Sequence, residues 1–190
     1  LAPAAASPQS LRNADETRAY TDEPVDEDDL EKILDASMLA PSGKGIRPWR
    51  FIVVTDFAHI KTLIGCRKSG PKMLETATAA IRVLGDATKS DTCIEDSSAV
   101  LDQMHLMAGT LGLGSCWPQV RLRPSEEEGT STEELLRQRL GVPEEMELEA
   151  MLVLGYPAQK PAAHVLEELP RSRASRAVVD IQPFIESTRS

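Results

Sequence analysis

Apolar side chains at Leu30, Ile33, Leu34 and Met38 recur at a spacing of three and four, which puts them on one face of a helix. Asp26 stands before them as an N-cap, and Asp28 and Asp29 place negative charge in the first turn, where the helix dipole favours it. Pro41 closes that helix, and the run Pro41-Ser42-Gly43-Lys44-Gly45 reads as a loop. The apolar run 51–55 predicts a buried strand, after which Asp56 caps a short helix running to Ile64. Positions 65–73, with Gly65, Gly70 and Pro71, read as a surface connection, and 80–84 as a second strand. The longest helical pattern covers 94–111. Ile94, Leu101, Met104, Ala108 and Leu111 share one face, and Val100 and Met107 broaden it. A helix apolar on several sides is expected at the centre, covered by a sheet and by a second subunit. Gly112 to Gly114 end it, and 115–120 read as extended. Ser131-Thr132-Glu133-Glu134 is a capping box for a helix to Leu140, with Gly141 as its C-cap, and 150–154 is another apolar strand. Strands separated by long helical segments predict an α+β or α/β domain around a small sheet. Residues 1–13 read as a flexible N-terminal tail, 14–190 as a single domain, and 177–181 as a short strand-like run.

Composition narrows the function. The chain has 190 residues, 41% hydrophobic and 27% charged, which is ordinary for a globular protein. No apolar run approaches the roughly 18 residues that span a bilayer, so no membrane partner is expected. The formal net charge of −9 opposes a general nucleic-acid binder. Few residues are aromatic, so the core falls to Leu, Ile, Val, Met and Ala. Cys66, Cys93 and Cys116 are too scattered for a disulfide framework, and no CxxC or His/Cys cluster points to a metal. Free thiols, and a start lacking the pattern of a signal peptide, predict a cytoplasmic protein.

No catalytic triad or acid/base pair declares itself, so no catalytic side chain is assigned. His59 and His164 read as surface residues, and His105 as a helix-face residue with one hydrogen bond. There is no GxGxxG fingerprint and no Walker loop. Any hard chemistry therefore belongs to a bound cofactor. Four features could build its pocket. The loop at 41–44 offers small residues, backbone N–H groups and one cation, although it also reads as a plain turn after a helix. The run 112–118 combines two glycines with Trp117, or is simply a helix end and a core Trp. Arg171 and Arg173 can grip a phosphate with forked guanidinium groups, or offset nearby Glu167 and Glu168. Arg18 is the fourth, and alone it carries no signal.

Taken in order, the blocks from Arg18 to Val25, from Leu39 to Lys44 with Arg47 to Val54, from Glu95 through Trp117, and from Val153 to Ala158 resemble the FMN-dependent nitroreductase family across about 14–180. The resemblance implies an α+β sandwich with a mixed, mainly antiparallel sheet flanked by helices. It implies a homodimer with two FMN molecules at the interface and a C-terminal segment reaching the partner. The implied reaction is two-step hydride transfer: NAD(P)H reduces FMN, and an electron-poor acceptor such as a nitro compound or quinone follows. Carried over by position, Arg18 matches the basic residue at the pyrimidine edge of the flavin. Pro41, Ser42 and Gly43 match the backbone lining the ring, and Lys44 continues that loop. Gln103 stands where the family often has Asn. Ser115, Cys116 and Trp117 match the segment facing the ring from the other subunit, and Arg171 and Arg173 the pair on the phosphate. Two departures stand out. Ala14-Asp15-Glu16 replaces an Arg-Arg-Ser-like start, and Gly45-Ile46-Arg47 replaces Asn-x-Gln before Pro48-Trp49. They raise an alternative: a catalytically silent dimer of the same fold that has lost FMN, or that binds flavin or another ligand without turnover.

Overall fold

The computed structural model describes residues 16–68, 72–159, 162–165 and 168. The tail at 1–13, the strand-like run at 177–181, and Arg171 and Arg173 lie outside them.

Every position of β2 (Ala79–Asp86) is buried. It lies inside a four-stranded sheet with β1 (Trp49–Val54), β3 (Gly114–Cys116) and β4 (Met146–Gly155), in the order β1-β2-β4-β3. All three strand pairs are antiparallel, and a parallel bridge from Glu16 to Ser115 on the β3 edge makes the sheet mixed. This is the α+β arrangement expected.

Alternation along the strands sorts the core into two layers. Ala79, Ile81 and Val83 of β2 and Ala150, Leu152 and Leu154 of β4 pack with Val100, Leu101, Met104 and Ala108 of α3 (Cys93–Thr110). Leu30 and Ile33 of α1 (Glu27–Met38) join that layer. The opposite faces of β2 and β4 pack with Ile60 of α2 (Phe57–Lys61) and with Leu135 and Leu136 of α4 (Thr132–Leu140).

A β-bulge in β4 keeps this sorting consistent. Val83 pairs with Ala150 and the next residue, Leu84, with Leu148, so Glu149 is the extra residue. In a regular strand Met146 and Leu148 would share the face of Ala150. With the bulge they pack on the other layer, beside Met151 and Val153. The carbonyl of Glu149 accepts from the backbone N–H groups of Val120 (3.2 Å) and Arg121 (3.0 Å).

The local signals hold closely. Asp26 accepts from the N–H of Asp28, Ser131 and Glu134 form the reciprocal capping box, and Gly141 ends α4 at φ 63°. Five expectations change. The strand expected to be buried at 51–55 is β1, at the sheet edge, where Ile52 and Val53 are exposed. The helix after Asp56 stops at Lys61, and Ile64–Cys66 is a separate 3-10 turn. The connection at 65–73 is not wholly at the surface, because Cys66 is buried. Extended structure after Gly114 stops at Cys116, since Pro118 has no N–H to give a ladder, and only an isolated bridge from Gln119 to Ala150 follows. Met38, expected on the buried face, is 50% exposed, and Leu39 beyond it is 75% exposed, because α1 outruns the layer it packs on.

Candidate functional site

The first cluster is built on the loop after α1. Lys44, Gly45 and Arg47 all adopt positive φ (55°, 70° and 53°), a conformation that costs a non-glycine residue about 1–2 kcal/mol. The surroundings hold it there. The hydroxyl of Ser42 accepts from the N–H of Arg47 (2.9 Å), and the N–H of Ile46 bonds to the carbonyl of Gly43 (3.1 Å). The N–H of Gly43 donates to Oδ1 of Asp96 at 2.7 Å. Asp96 is buried in the first turn of α3, and its Oδ2 accepts from the hydroxyls of Thr92 (3.1 Å) and Ser90 (3.3 Å). A Cβ on Gly43 would collide with the Thr92 hydroxyl. Trp49 anchors the far end of the loop in the core. The loop thus presents Pro41, Lys44, Gly45 and Arg47 to solvent, with the ammonium of Lys44 at 3.6 Å from Asp91.

The second cluster lies along β3. Residues 16–21 run against Gly114 and Gly155, whose missing side chains make room for them. A Cβ on Gly114 would stand 2.7 Å from Thr17 Cβ, and one on Gly155 2.8 Å from Tyr20 Cβ. Backbone bonds from Thr17 N to Ser115 O and from Thr21 N to Tyr156 O, both 2.8 Å, fix the segment. The Tyr20 hydroxyl donates to the carbonyl of Thr17 (2.6 Å), and burial raises its pKa, so the phenol stays protonated. Arg18 is therefore presented beside Ser115 and Cys116. Its Nη2 lies 2.6 Å from Oε2 of Glu16, and the two side chains are 68% and 41% exposed. Nδ1 of His105, on α3, lies 2.5 Å from the hydroxyl of Ser115. Burial, with Glu16 second, pushes the Cys116 thiol up to about 11, so it is neutral and a poor nucleophile. The indole N–H of Trp117 is buried without a hydrogen-bond partner. Gln103 lies two residues before His105 on α3, half-buried.

One chain therefore groups Arg18 with Ser115 and Cys116, and sets the loop from Pro41 to Lys44 apart from them. Asp96 and His105, the contacts of the two clusters on α3, are nine residues and so about 13–14 Å apart along the axis. Sequence reasoning treated Glu95-Asp96 only as part of a helix block, and so missed Asp96 as the acceptor for Gly43; an acid opening the longest helix was the available signal. It also missed a cavity of about 430 Å³ lined by Tyr20, Thr21, Thr55, Phe57 and Thr78, with Asp22 and Glu75 and no cation, a charge pattern unsuited to a phosphate.

The chemistry of the two clusters fits a flavin in kind. Exposed cations at Arg18 and Lys44 suit an electron-rich ring edge, and open backbone at Gly45 and Gly112, where even a Cβ would meet nothing within 4 Å, lets a planar ring come close. Among the described residues no helix is long and apolar enough to cross a membrane.

Known proteins bear on this directly. A family model described as "Nitroreductase family" matches residues 12–93. A protein of Archaeoglobus fulgidus, provisionally named NADH dehydrogenase/NAD(P)H nitroreductase, is 39% identical over 144 residues, covering 74% of this chain and 79% of its own. Among solved structures, an FMN-dependent nitroreductase from Clostridium difficile superposes with a TM-score of 0.83 at 36% identity, covering 87% of this chain and 96% of its own. A Parabacteroides distasonis protein with the same provisional name gives 0.79 at 30%, covering 88% and 95%. With relatives this close over most of their length, the chain belongs to the nitroreductase family of oxidoreductases.

Proposed function

We propose that this protein is an FMN-dependent NAD(P)H oxidoreductase that works as a homodimer and reduces nitro compounds, quinones or similar electron-poor acceptors. The observation that carries the reading is the pair of separated clusters on α3. Each offers an exposed cation, and their contacts on the helix are about 13–14 Å apart. A dimer that brings the loop of one protomer to the Arg18 cluster of its partner completes a site. Met38 (50% exposed) and Leu39 (75%), at the end of α1, and Ile46 (37%), within the loop, are exposed apolar side chains that such a partner would cover.

FMN, when bound, would supply the chemistry of accepting a hydride from NAD(P)H and delivering reducing equivalents to the acceptor. The chain binds and orients it. Arg18 holds the pyrimidine edge and favours negative charge there. Pro41, Ser42, Gly43 and Lys44 line the ring through their backbone, and the bond from Gly43 to Asp96 keeps that lining rigid. Ser115, with its hydroxyl oriented by His105, together with Gln103, Cys116 and Trp117, closes the other side and excludes water. Arg171 and Arg173 take the phosphate.

The test is an FMN titration followed by visible absorbance, then NADH and NADPH oxidation with a quinone and a nitroaromatic acceptor. One FMN per chain and acceptor-dependent oxidation are expected. Binding without oxidation by either nucleotide sinks the enzymatic reading. The silent-dimer reading draws on one observation, the carboxylate of Glu16 on Arg18, and predicts either no FMN uptake or uptake without oxidation of either nucleotide.

A further inference from the structure

Glu16 and Arg18 are two residues apart on an extended segment, so their side chains leave it on the same side. Their contact is a short, charge-assisted bond of 2.6 Å. Two exposed, long side chains usually gain little from such a contact, because ordering them costs about as much as the attraction returns. Here the backbone has already done much of the ordering. Glu16 is bridged to Ser115, Thr17 is bonded to the same residue, and Gly114 and Gly155 let the segment lie flat on the sheet edge. A carboxylate therefore stands ready on Arg18, the cation that a flavin ring would need here.

We infer that Glu16 is an internal counter-anion that competes with the flavin ring for Arg18, and so sets flavin affinity from the ring edge rather than from the phosphate. This rests on the FMN reading above. When a ring arrives, Arg18 must share or leave the carboxylate, and Glu16, which also meets the Cys116 thiol, must stay near an electron-rich edge or turn away from it. Either way the pair subtracts from binding. A charge at position 16 that acted on the phosphate would leave a different trace, because riboflavin carries the same ring and no phosphate.

The experiment measures dissociation constants for FMN and riboflavin with the wild-type chain, Glu16→Gln, Arg18→Ala and the double variant, with Glu16→Ser as a second neutral replacement and thermal unfolding as the folding control. Glu16→Gln is expected to tighten both flavins by the same factor, about 1.5-fold to fivefold, the range of an exposed charge pair. In the Arg18→Ala background that gain disappears. A gain for FMN alone overturns the inference in favour of phosphate repulsion, and a gain that survives Arg18→Ala overturns it as well. Wild-type binding that neither Glu16→Gln nor Glu16→Ser alters overturns it while leaving the FMN reading intact. Failure of every form to bind either flavin overturns the FMN reading, and the inference with it.

Discussion

At the start of α3 a strained loop is pinned by the backbone N–H of Gly43 to a buried carboxylate; nine residues on, the same helix supports an exposed ion pair on a flat extended segment. The first region is prepared through its main chain. Lys44, Gly45 and Arg47 have little freedom while Asp96 and Ser42 hold the turn. The second is prepared through its bed, since Gly114 and Gly155 place the segment and leave the Arg18 side chain able to exchange partners. Pre-organisation of these two kinds answers to different substitutions. Changes in the loop should act on stability and geometry together, whereas changes at Arg18 should act on ligands with little cost to the fold.

The sharpest way to break this contrast is Gly114→Ala. The new Cβ meets Thr17 Cβ at 2.7 Å, an atom that cannot rotate away, so segment 16–21 must shift. A loss of about 1–3 kcal/mol is expected from overpacking, read as a lower denaturation midpoint. An unchanged midpoint would mean that the segment is not bedded as described. Asp96→Ala should cost a similar or slightly smaller amount, about 1–3 kcal/mol, because it strips the acceptor from the Gly43 N–H and from two hydroxyls. Asp96→Asn keeps an acceptor and should recover part of that loss. Equal losses for both would point to the charge rather than the bond. Arg18→Ala should change stability by less than about 1 kcal/mol, as for exposed pairs, and weaken flavin binding measurably. A larger stability loss than binding loss would reverse the contrast.

The smallest effect concerns acid. The carboxyl of Asp86, at the end of β2, is held down to about 2 by the Thr88 hydroxyl and then by Lys89. Its folded value lies below the unfolded value of 3.8. Its stabilisation is therefore present above about pH 4 and fades as pH falls towards 2. The carbonyl of Asp86 also accepts from the N–H of Ser90, so this turn leads straight to the hydroxyls that support Asp96. The stability difference between wild type and Asp86→Asn should shrink over that interval. A difference that stays constant down to pH 2 would show that the carboxylate is not favoured as described.

Features decided within a few residues were legible in the sequence. Asp26, the Ser131 capping box and Gly141 depend on neighbours one turn away, and each does what its local spacing implies. The family blocks led to the right fold because they sample both layers of the core. What stayed hidden depends on long separations. Gly43 and Asp96 are 53 positions apart, and nothing local says that one needs the other. The acids at 15 and 16 were visible as a departure. That Glu16 meets Arg18 depends on segment 16–21 being laid on β3, which Gly114 permits from almost a hundred residues away. Met38 followed the helical period and still emerged at the surface, because periodicity reports direction and not how far the packed layer extends.

The bulge at Glu149 gives β4 a phase, as a dislocation does in a crystal. Flattening the bulge with Glu149 retained would leave both halves of the strand apolar and well suited to extended structure. It would also turn Met146 and Leu148 towards α3 and leave the layer against α4 with two holes. Loss of Glu149 itself would instead keep Leu148 opposite Leu84, so natural variation in the length of β4 should take the form of presence or absence of a residue at 149, with Met146 and Leu148 facing the same layer in both.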